Sequence, residues 1–248
     1  QRPKTGELLY GRNAVIEGLR GRRTPRSLYL AEGAERQERI ANLLAEAQRR
    51  RLPVKRLKPP ALEQLAPNVN HQGVLLEVGG YPYVQLDELL AGANGRPLVV
   101  LDHIQDVQNF GTLIRTADAT GAAGLIIPDR RGVSVTPAVV NSSAGAVEHV
   151  AVARTPNLAR AVDEAKEAGY WVVGLAAEPQ AEPIFRADIP TPALLLIGSE
   201  GGGIGPSLLK HCDLLVRLPM LGNVESLNAA VAGSVALYEL LRRRLEAD

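Results

Sequence analysis

Six short apolar runs punctuate the chain after residue 97, at 98–101, 124–127, 150–152, 171–175, 194–197 and 214–218. Runs this short and this uniformly apolar read as strands buried on both faces, since a strand with one wet face alternates. Helical stretches fall between them, including 110–120 and 157–168. Alternation of this kind predicts an α/β fold with a mostly parallel sheet covered on both sides.

The last two runs end in loops of unusual composition. Strand 194–197 opens into Gly198-Ser199-Glu200-Gly201-Gly202-Gly203, and a short helix follows from Pro206. Strand 214–218 leads to Gly222-Asn223-Val224-Glu225-Ser226, then to a final helix from Asn228 to about Arg244. That helix carries Val231, Val235, Leu237 and Leu241 at helical spacing, with Asn228 as a candidate cap. Loops at the carboxyl ends of parallel strands are where open α/β sheets bind ligands. A single glycine-rich loop is most often a tight turn, but two in tandem after buried strands point to a ligand cradle. Gly201-Gly202-Gly203-Ile204-Gly205 is not a dinucleotide fingerprint, which expects G-x-G-x-x-G after the first strand of its unit. No G-x-x-x-x-G-K-[ST] phosphate loop occurs either. A nicotinamide oxidoreductase therefore lacks its motif.

A third motif opens the same region: Leu101-Asp102-His103-Ile104-Gln105-Asp106-Val107-Gln108-Asn109-Phe110-Gly111-Thr112-Leu113-Ile114-Arg115-Thr116-Ala117. With it the chain resembles the SpoU, or TrmH-like, family of RNA ribose 2'-O-methyltransferases, members of the SPOUT class. The family pattern D-x-x-N-x-G-x-x-x-R-x-A is met by Asp106, Asn109, Gly111, Arg115 and Ala117. G-x-E-G-x-G is met by Gly198, Glu200, Gly201 and Gly203. The S-L-N motif with its P-M-x-G-x-V lead is met by Pro219, Met220, Gly222, Val224, Ser226, Leu227 and Asn228. Val107 stands where many members have proline, which loosens the loop before Asn109 but removes no functional side chain. Leu9-Tyr10-Gly11-Arg12-Asn13-Ala14-Val15 and His71-Gln72-Gly73-Val74 resemble the two-domain branch acting on large-subunit ribosomal RNA.

The resemblance implies a SPOUT domain with a deep trefoil knot formed by the C-terminal segment, a rare exception to unthreaded connections. It implies S-adenosylmethionine held by backbone groups at Gly198, Leu218 and Leu227. Asn109, Arg115, Glu200, Ser226 and Asn228 form the implied polar constellation for transfer to a ribose 2'-OH. A guanidinium stays protonated, so Arg115 suits an anchor for the phosphate beside the target ribose better than a base. Arg115 lies six residues after Asn109, so both are expected to face one cleft. Asp102 and Asp106 are expected to cap or order the loop before the following helix. His103 reads as a structural histidine without a paired carboxylate, and His71 as closing the small domain. A homodimer through the C-terminal domain is also implied.

The N-terminal part has a different charge. Residues 1–60 hold fifteen Lys and Arg against six Asp and Glu, while the whole 248-residue chain has a net charge of only +1. Such asymmetry points to a nucleic-acid contact in the basic part. Strand candidates 7–10, 27–30, 54–57 and 74–78 alternate with helices 12–20, 35–51 and 60–65. This is a small α/β unit, and in the resembled family an RNA-binding domain like certain ribosomal proteins. Arg49-Arg50-Arg51 with Lys55, Arg56 and Lys58 suits phosphate contacts. The expected division is an RNA-binding domain at 1–78, a Gly- and Pro-rich linker at 79–97 containing a short helix at 85–90, and a methyltransferase domain at 98–248.

The single cysteine, Cys212, excludes an intrachain disulfide framework and is expected to pack as a small apolar residue. No histidine–cysteine cluster has zinc spacing, so no metal is expected. No apolar run reaches the ~18 residues that span a membrane, and no signal-peptide core opens the sequence, so the cytoplasm is the expected compartment. The expectation is a cytoplasmic enzyme methylating a guanosine ribose in 23S ribosomal RNA. The alternatives are the same reaction on transfer RNA or an antibiotic-resistance site, or a non-catalytic assembly factor on this fold. Separate N-terminal domains are absent from stand-alone tRNA members, which favours ribosomal RNA.

Overall fold

The computed structural model describes residues 6–34, 38–130 and 132–247. The chain forms two compact units, Gln1–Pro82 with Ser134–His149, and Tyr83–Val133 with Val150–Asp248.

The first unit is built on β1 (Glu7–Tyr10), α1 (Arg12–Arg20), β2 (Pro25–Ala31), α2 (Glu38–Arg49), β3 (Val54–Leu57), α3 (Pro59–Leu65) and β4 (Val74–Val78). Residues 35–37 of the expected helix lie outside the described residues. Its four-stranded sheet has the order β1-β4-β2-β3, with β4 antiparallel to both neighbours and β3 parallel to β2. Leu9 and Leu76 project onto α1, where a Cβ on Gly18 would collide with Leu9 Cδ1. Only glycine allows the helix this close. On the opposite face Leu75 packs with Leu62 and Ala66, flanked by Tyr10 and Tyr29. Arg49 and Arg50 both bond the Glu46 carboxylate, at 2.7 and 2.8 Å, and hold it below the usual carboxylate range. Arg51, Lys55, Arg56 and Lys58 remain exposed.

Ser134–His149 lies in sequence between two strands of the larger sheet but packs within the first unit. It contains a short helix (Pro137–Ser142) and a 3-10 turn (Ala146–Glu148). Arg23 reaches Glu148, Nε to Oε1 2.9 Å, and both side chains are 0% exposed. Arg23 also pairs with Glu7 and lies over the Tyr81 ring, 5.4 Å from its centroid. Burial pushes the Glu148 carboxyl up, and Arg23 pulls it back. The Tyr81 hydroxyl donates to the Val147 carbonyl at 3.2 Å, and His149 Nε2 stands 2.7 Å from Glu17 Oε2.

The second unit adds α4 (Leu86–Gly92), β5 (Leu98–Leu101), α5 (Val107–Ala119), β6 (Gly124–Pro128), β7 (Ala151–Thr155), α7 (Leu158–Glu167), β8 (Trp171–Leu175), β9 (Glu182–Pro183), β10 (Ala193–Ile197), α8 (Pro206–Leu209), β11 (Leu214–Arg217) and α9 (Ala229–Ala247), with α6 denoting Pro137–Ser142 above. The seven strands are all parallel, in the order β7-β6-β5-β10-β8-β11-β9. Leu98 to Val100 and Leu194 to Leu196 are fully buried, as expected of central strands covered on both faces. The two-residue β9 has no apolar run to announce it. α4 lies within the stretch read as a linker; its Leu89 enters the core, and Gln85 with Glu88 forms a capping box. The chain runs outward from β5 to β7, returns as β8 on the other side, and places β10 between β5 and β8. That reversal opens a crevice beyond the carboxyl ends of the central strands.

Candidate active site

The ends of β8, β10 and β11 converge on one cleft of about 450 Å³. Leu175, Ile197, Leu218, Leu227 and Ala229 give it aliphatic lining, and Gly198, Gly201 and Gly203 bring backbone to it. The glycine loop closes on itself: Ser199 N donates to the Gly203 carbonyl at 3.0 Å, and Gly203 N to that of Ser199 at 2.9 Å. A Cβ on Gly198 would overlap the Gly203 carbonyl carbon, so the turn admits no side chain there.

The Asp106 carboxylate caps α5 by accepting Asn109 N at 2.8 Å, as expected of it. Asn109 Nδ2 then donates to Glu200 Oε1 at 2.9 Å. Asn228 Nδ2 donates to Asn109 Oδ1 at 3.0 Å and also reaches the same Glu200 oxygen. An ionised carboxylate only accepts, so both amides must turn their NH2 groups toward Glu200. Asn228 Oδ1 is left to accept Ala230 N and Val231 N at 2.9 and 3.1 Å, which caps α9. One residue from each sequence motif thus meets in a single hydrogen-bonded cluster.

Gly198, Leu218, Leu227, Glu200 and Ser226 all line the cleft. Ser226 is exposed and makes no hydrogen bond among the described residues. Arg115 is not gathered in. Six helical residues place it ~120° around α5 from Asn109, and it is exposed, off the cleft lining, with no partner among the described residues. Arg217, Met220 and Glu225 also line the cleft, though none was expected as a site residue. The last two lie in the third motif and were within its reach; Arg217 ends a strand and carries no such mark. Its Nε donates to the Ala181 carbonyl at 3.0 Å.

His103 corrects the sequence reading. It does have a paired carboxylate: Nδ1 stands 2.5 Å from Asp102 Oδ1. The buried Asp102 also accepts Gly205 N at 2.8 Å, which ties the end of β5 to the far end of the glycine loop. The backbone at His103 is also unusual, with φ of +56°. His71 accepts Gly73 N and meets Glu63 within the first unit, the closing role expected of it. Cys212 packs against the core as a small apolar residue, and burial pushes its thiol up to about 11. Among the described residues no cluster of metal-ligating side chains occurs, and no helix is long and apolar enough to cross a membrane.

α9 packs on α5 and β10, where a Cβ on Gly233 would lie 2.6 Å from both Ile197 Cδ1 and Leu113 Cδ2. Its other side leaves Val231, Val235 and Tyr238 exposed, with Phe185 beside Val235 and Tyr238.

The cleft has the volume of a small-molecule site. Glycine backbone and aliphatic lining suit a heterocycle, and the Glu200 and Glu225 carboxylates suit a cationic chain. S-adenosylmethionine has both features, so these residues fit it. Residues 96–238 match the model of the SpoU rRNA Methylase family, and residues 8–84 that of the RNA 2'-O ribose methyltransferase substrate binding domain. The chain is 40% identical over 242 residues, 96% of both chains, to the Bacillus subtilis protein YacO, which carries the name of a TrmH family tRNA/rRNA methyltransferase. It is similar to the SpoU methyltransferase AviRb from Streptomyces viridochromogenes in complex with AdoMet, with TM-score 0.80, 29% identity, and coverage of 97% of this chain and 91% of that one. The A. aeolicus TrmH/SpoU tRNA modifying enzyme matches with TM-score 0.57 and 25% identity, over 65% of this chain and 82% of its own. The cluster, the cleft and these matches agree: the chain belongs to the SpoU, or TrmH, family of S-adenosylmethionine-dependent RNA methyltransferases.

Proposed function

We propose that this enzyme methylates a ribose 2'-OH, on a guanosine of 23S ribosomal RNA. The observation that carries the reading is the Asn109–Glu200–Asn228 cluster at the rim of a cleft sized for the methyl donor. When bound, S-adenosylmethionine supplies an activated methyl group. Gly198, Leu218 and Leu227 would hold it through backbone groups and aliphatic contact. The cluster fixes the glycine loop against the starts of α5 and α9, so the cleft keeps its shape when RNA arrives. Arg115, exposed and unpartnered among the described residues, offers a planar fork to the phosphate beside the target ribose. A guanidinium holds its proton, so this side chain anchors rather than serves as base. Ser226 lines the cleft with a free hydroxyl for donor or ribose.

Ribosomal rather than transfer RNA is favoured by the first unit. It matches a substrate-binding domain, whereas the tRNA-modifying relative aligns with only 65% of the chain. The apolar face of Val231, Val235 and Tyr238 supports a homodimer through α9, since two-fold pairing buries one patch on each copy. The cytoplasm is where such RNA is found. The test is labelled S-adenosylmethionine with ribosomal RNA from cells lacking the gene. An alkali-resistant dinucleotide, mapped to one 23S guanosine, is expected; a base-methylated product would refute the reading.

A further inference from the structure

Arg217 is the one cation among the described residues that line the cleft, which also holds the carboxylates of Glu200 and Glu225. It lies outside all three sequence motifs, and no acidic side chain pairs with it among the described residues. Its one side-chain hydrogen bond there runs from Nε to the carbonyl of the buried Ala181, at 3.0 Å. With Nε taken, the outer edge of the guanidinium remains, where the paired N–H groups of Nη1 and Nη2 match the two oxygens of a carboxylate.

The backbone beneath this side chain is held as well. Arg217 ends β11 and pairs with Pro183 of β9, and its carbonyl accepts Ile184 N at 2.9 Å. A fork fixed at its stem and at Nε loses little freedom when it grips a ligand.

The charge of the lining selects among anions. Two carboxylates against one guanidinium disfavour a phosphate, which would add further negative charge. S-adenosylmethionine carries a carboxylate, an ammonium and a sulfonium, so its cations outnumber its anions by one and complement this lining. Glu200 is engaged by the Asn109 and Asn228 amides, whereas Glu225 is exposed and makes no hydrogen bond among the described residues. The cleft thus offers an open acid and an open cation to a zwitterionic amino-acid end.

We propose that Arg217 binds the carboxylate of S-adenosylmethionine through the outer edge of its guanidinium. This rests on the reading that the cleft holds the methyl donor, and it does not depend on which RNA atom is methylated. The carboxylate is remote from the methyl group and survives in the demethylated product. Arg217 therefore contributes to holding donor and product alike rather than to the transition state alone.

Calorimetric titration of the full chain with S-adenosylmethionine and with its decarboxylated form tests this in wild type and Arg217→Gln. The variant should bind S-adenosylmethionine about tenfold more weakly, as hydrogen bonds to a charged group imply, and S-adenosylhomocysteine by the same factor. It should bind the decarboxylated donor within threefold of wild type, and comparing the two ligands cancels any general effect on the cleft. In wild type, side-chain ¹⁵N NMR signals of Arg217 should shift on adding S-adenosylmethionine and stay in place with the decarboxylated donor. Equal losses for both donors overturn the proposal and make Arg217 a support for the segment at Ala181. Unchanged affinity for both also overturns it, as does weaker binding of RNA with donor affinity intact, which makes Arg217 a phosphate contact. If the wild-type methyl signals of Leu218 and Leu227 do not move on adding donor, the cleft reading itself falls, and the proposal with it.

Discussion

Replacing Arg23 with alanine removes the counter-charge from Glu148 in a place closed to water. The two side chains meet at 2.9 Å and neither is exposed. Burial already raises the Glu148 pKa, with Arg23 the main opposing influence. Without Arg23 the folded state of lowest energy carries a protonated Glu148. A glutamic acid that titrates near ~4.3 in solution is about three units from protonation at pH 7.5, at ~1.36 kcal/mol per unit, or ~4 kcal/mol in all. Breaking buried ion pairs elsewhere costs a similar ~3–5 kcal/mol. The sign of the pH dependence follows from the raised folded pKa. Such a carboxyl contributes its full stability below its solution pKa and loses it as pH climbs toward the folded value. The deficit of Arg23→Ala should therefore shrink to ~1.6 kcal/mol at pH 5.5, by the same arithmetic. Urea unfolding by circular dichroism at both pH values would measure this for wild type, Arg23→Ala, Glu148→Gln and the double variant. The deficit of the double variant should change less between the two pH values than that of Arg23→Ala, because it has no carboxyl at position 148. A deficit in Arg23→Ala that is equal at the two pH values, or under ~1 kcal/mol at pH 7.5, refutes the reasoning.

Arg115→Lys should lower single-turnover methylation ~100-fold, a barrier rise of ~2.7 kcal/mol, with unchanged cofactor affinity, since an ammonium cannot reproduce the paired hydrogen bonds of the fork. Near-normal turnover in a kinetic assay would leave only its charge. Asn228→Asp keeps the cap oxygen for α9 but sets a second carboxylate against Glu200, so calorimetry should show weaker cofactor binding with helix content retained. Exchanging Arg51, Lys55 and Lys58 for glutamine should flatten the salt dependence of RNA binding by ~0.7–0.9 in log–log slope for each phosphate no longer neutralised. Deleting residues 1–78 is the poorer test, because it takes Arg23 away from Glu148. Val235→Glu should convert a dimer to monomer in sedimentation; a dimer that survives places the interface elsewhere.

The α/β class and every strand of the larger sheet except β9 were legible in sequence, because central strands such as β5 and β10 are buried and apolar throughout and the others still carry short apolar runs. β9 pairs through two residues, Glu182 and Pro183, which no composition would single out. The three motifs marked the site, and the structure draws Asn109, Glu200 and Asn228 together from positions far apart in the chain. Arg115 resisted a sequence argument because exposure depends on which side of α5 faces the sheet. His103 was misread because adjacency in sequence does not say whether two side chains turn toward each other. The place of Ser134–His149 in the first unit was hidden for another reason: Arg23 and Glu148 are 125 positions apart and nothing in either's local sequence refers to the other. The threading of the C-terminal segment, implied by resemblance, leaves no trace in periodicity.

A chain synthesised from its amino end acquires these parts at different times. The first unit lacks its closing acid until residue 148 has been made, and the cleft lacks its last polar member until residue 228. On the proposed division of labour, translation that stops between those points yields a protein with a finished RNA-binding face and no means of modification. Such a product would not be inert. It would occupy the transcript and shield the target from intact enzyme, so nonsense mutations in this interval should act dominantly, whereas those before residue 148 should be recessive.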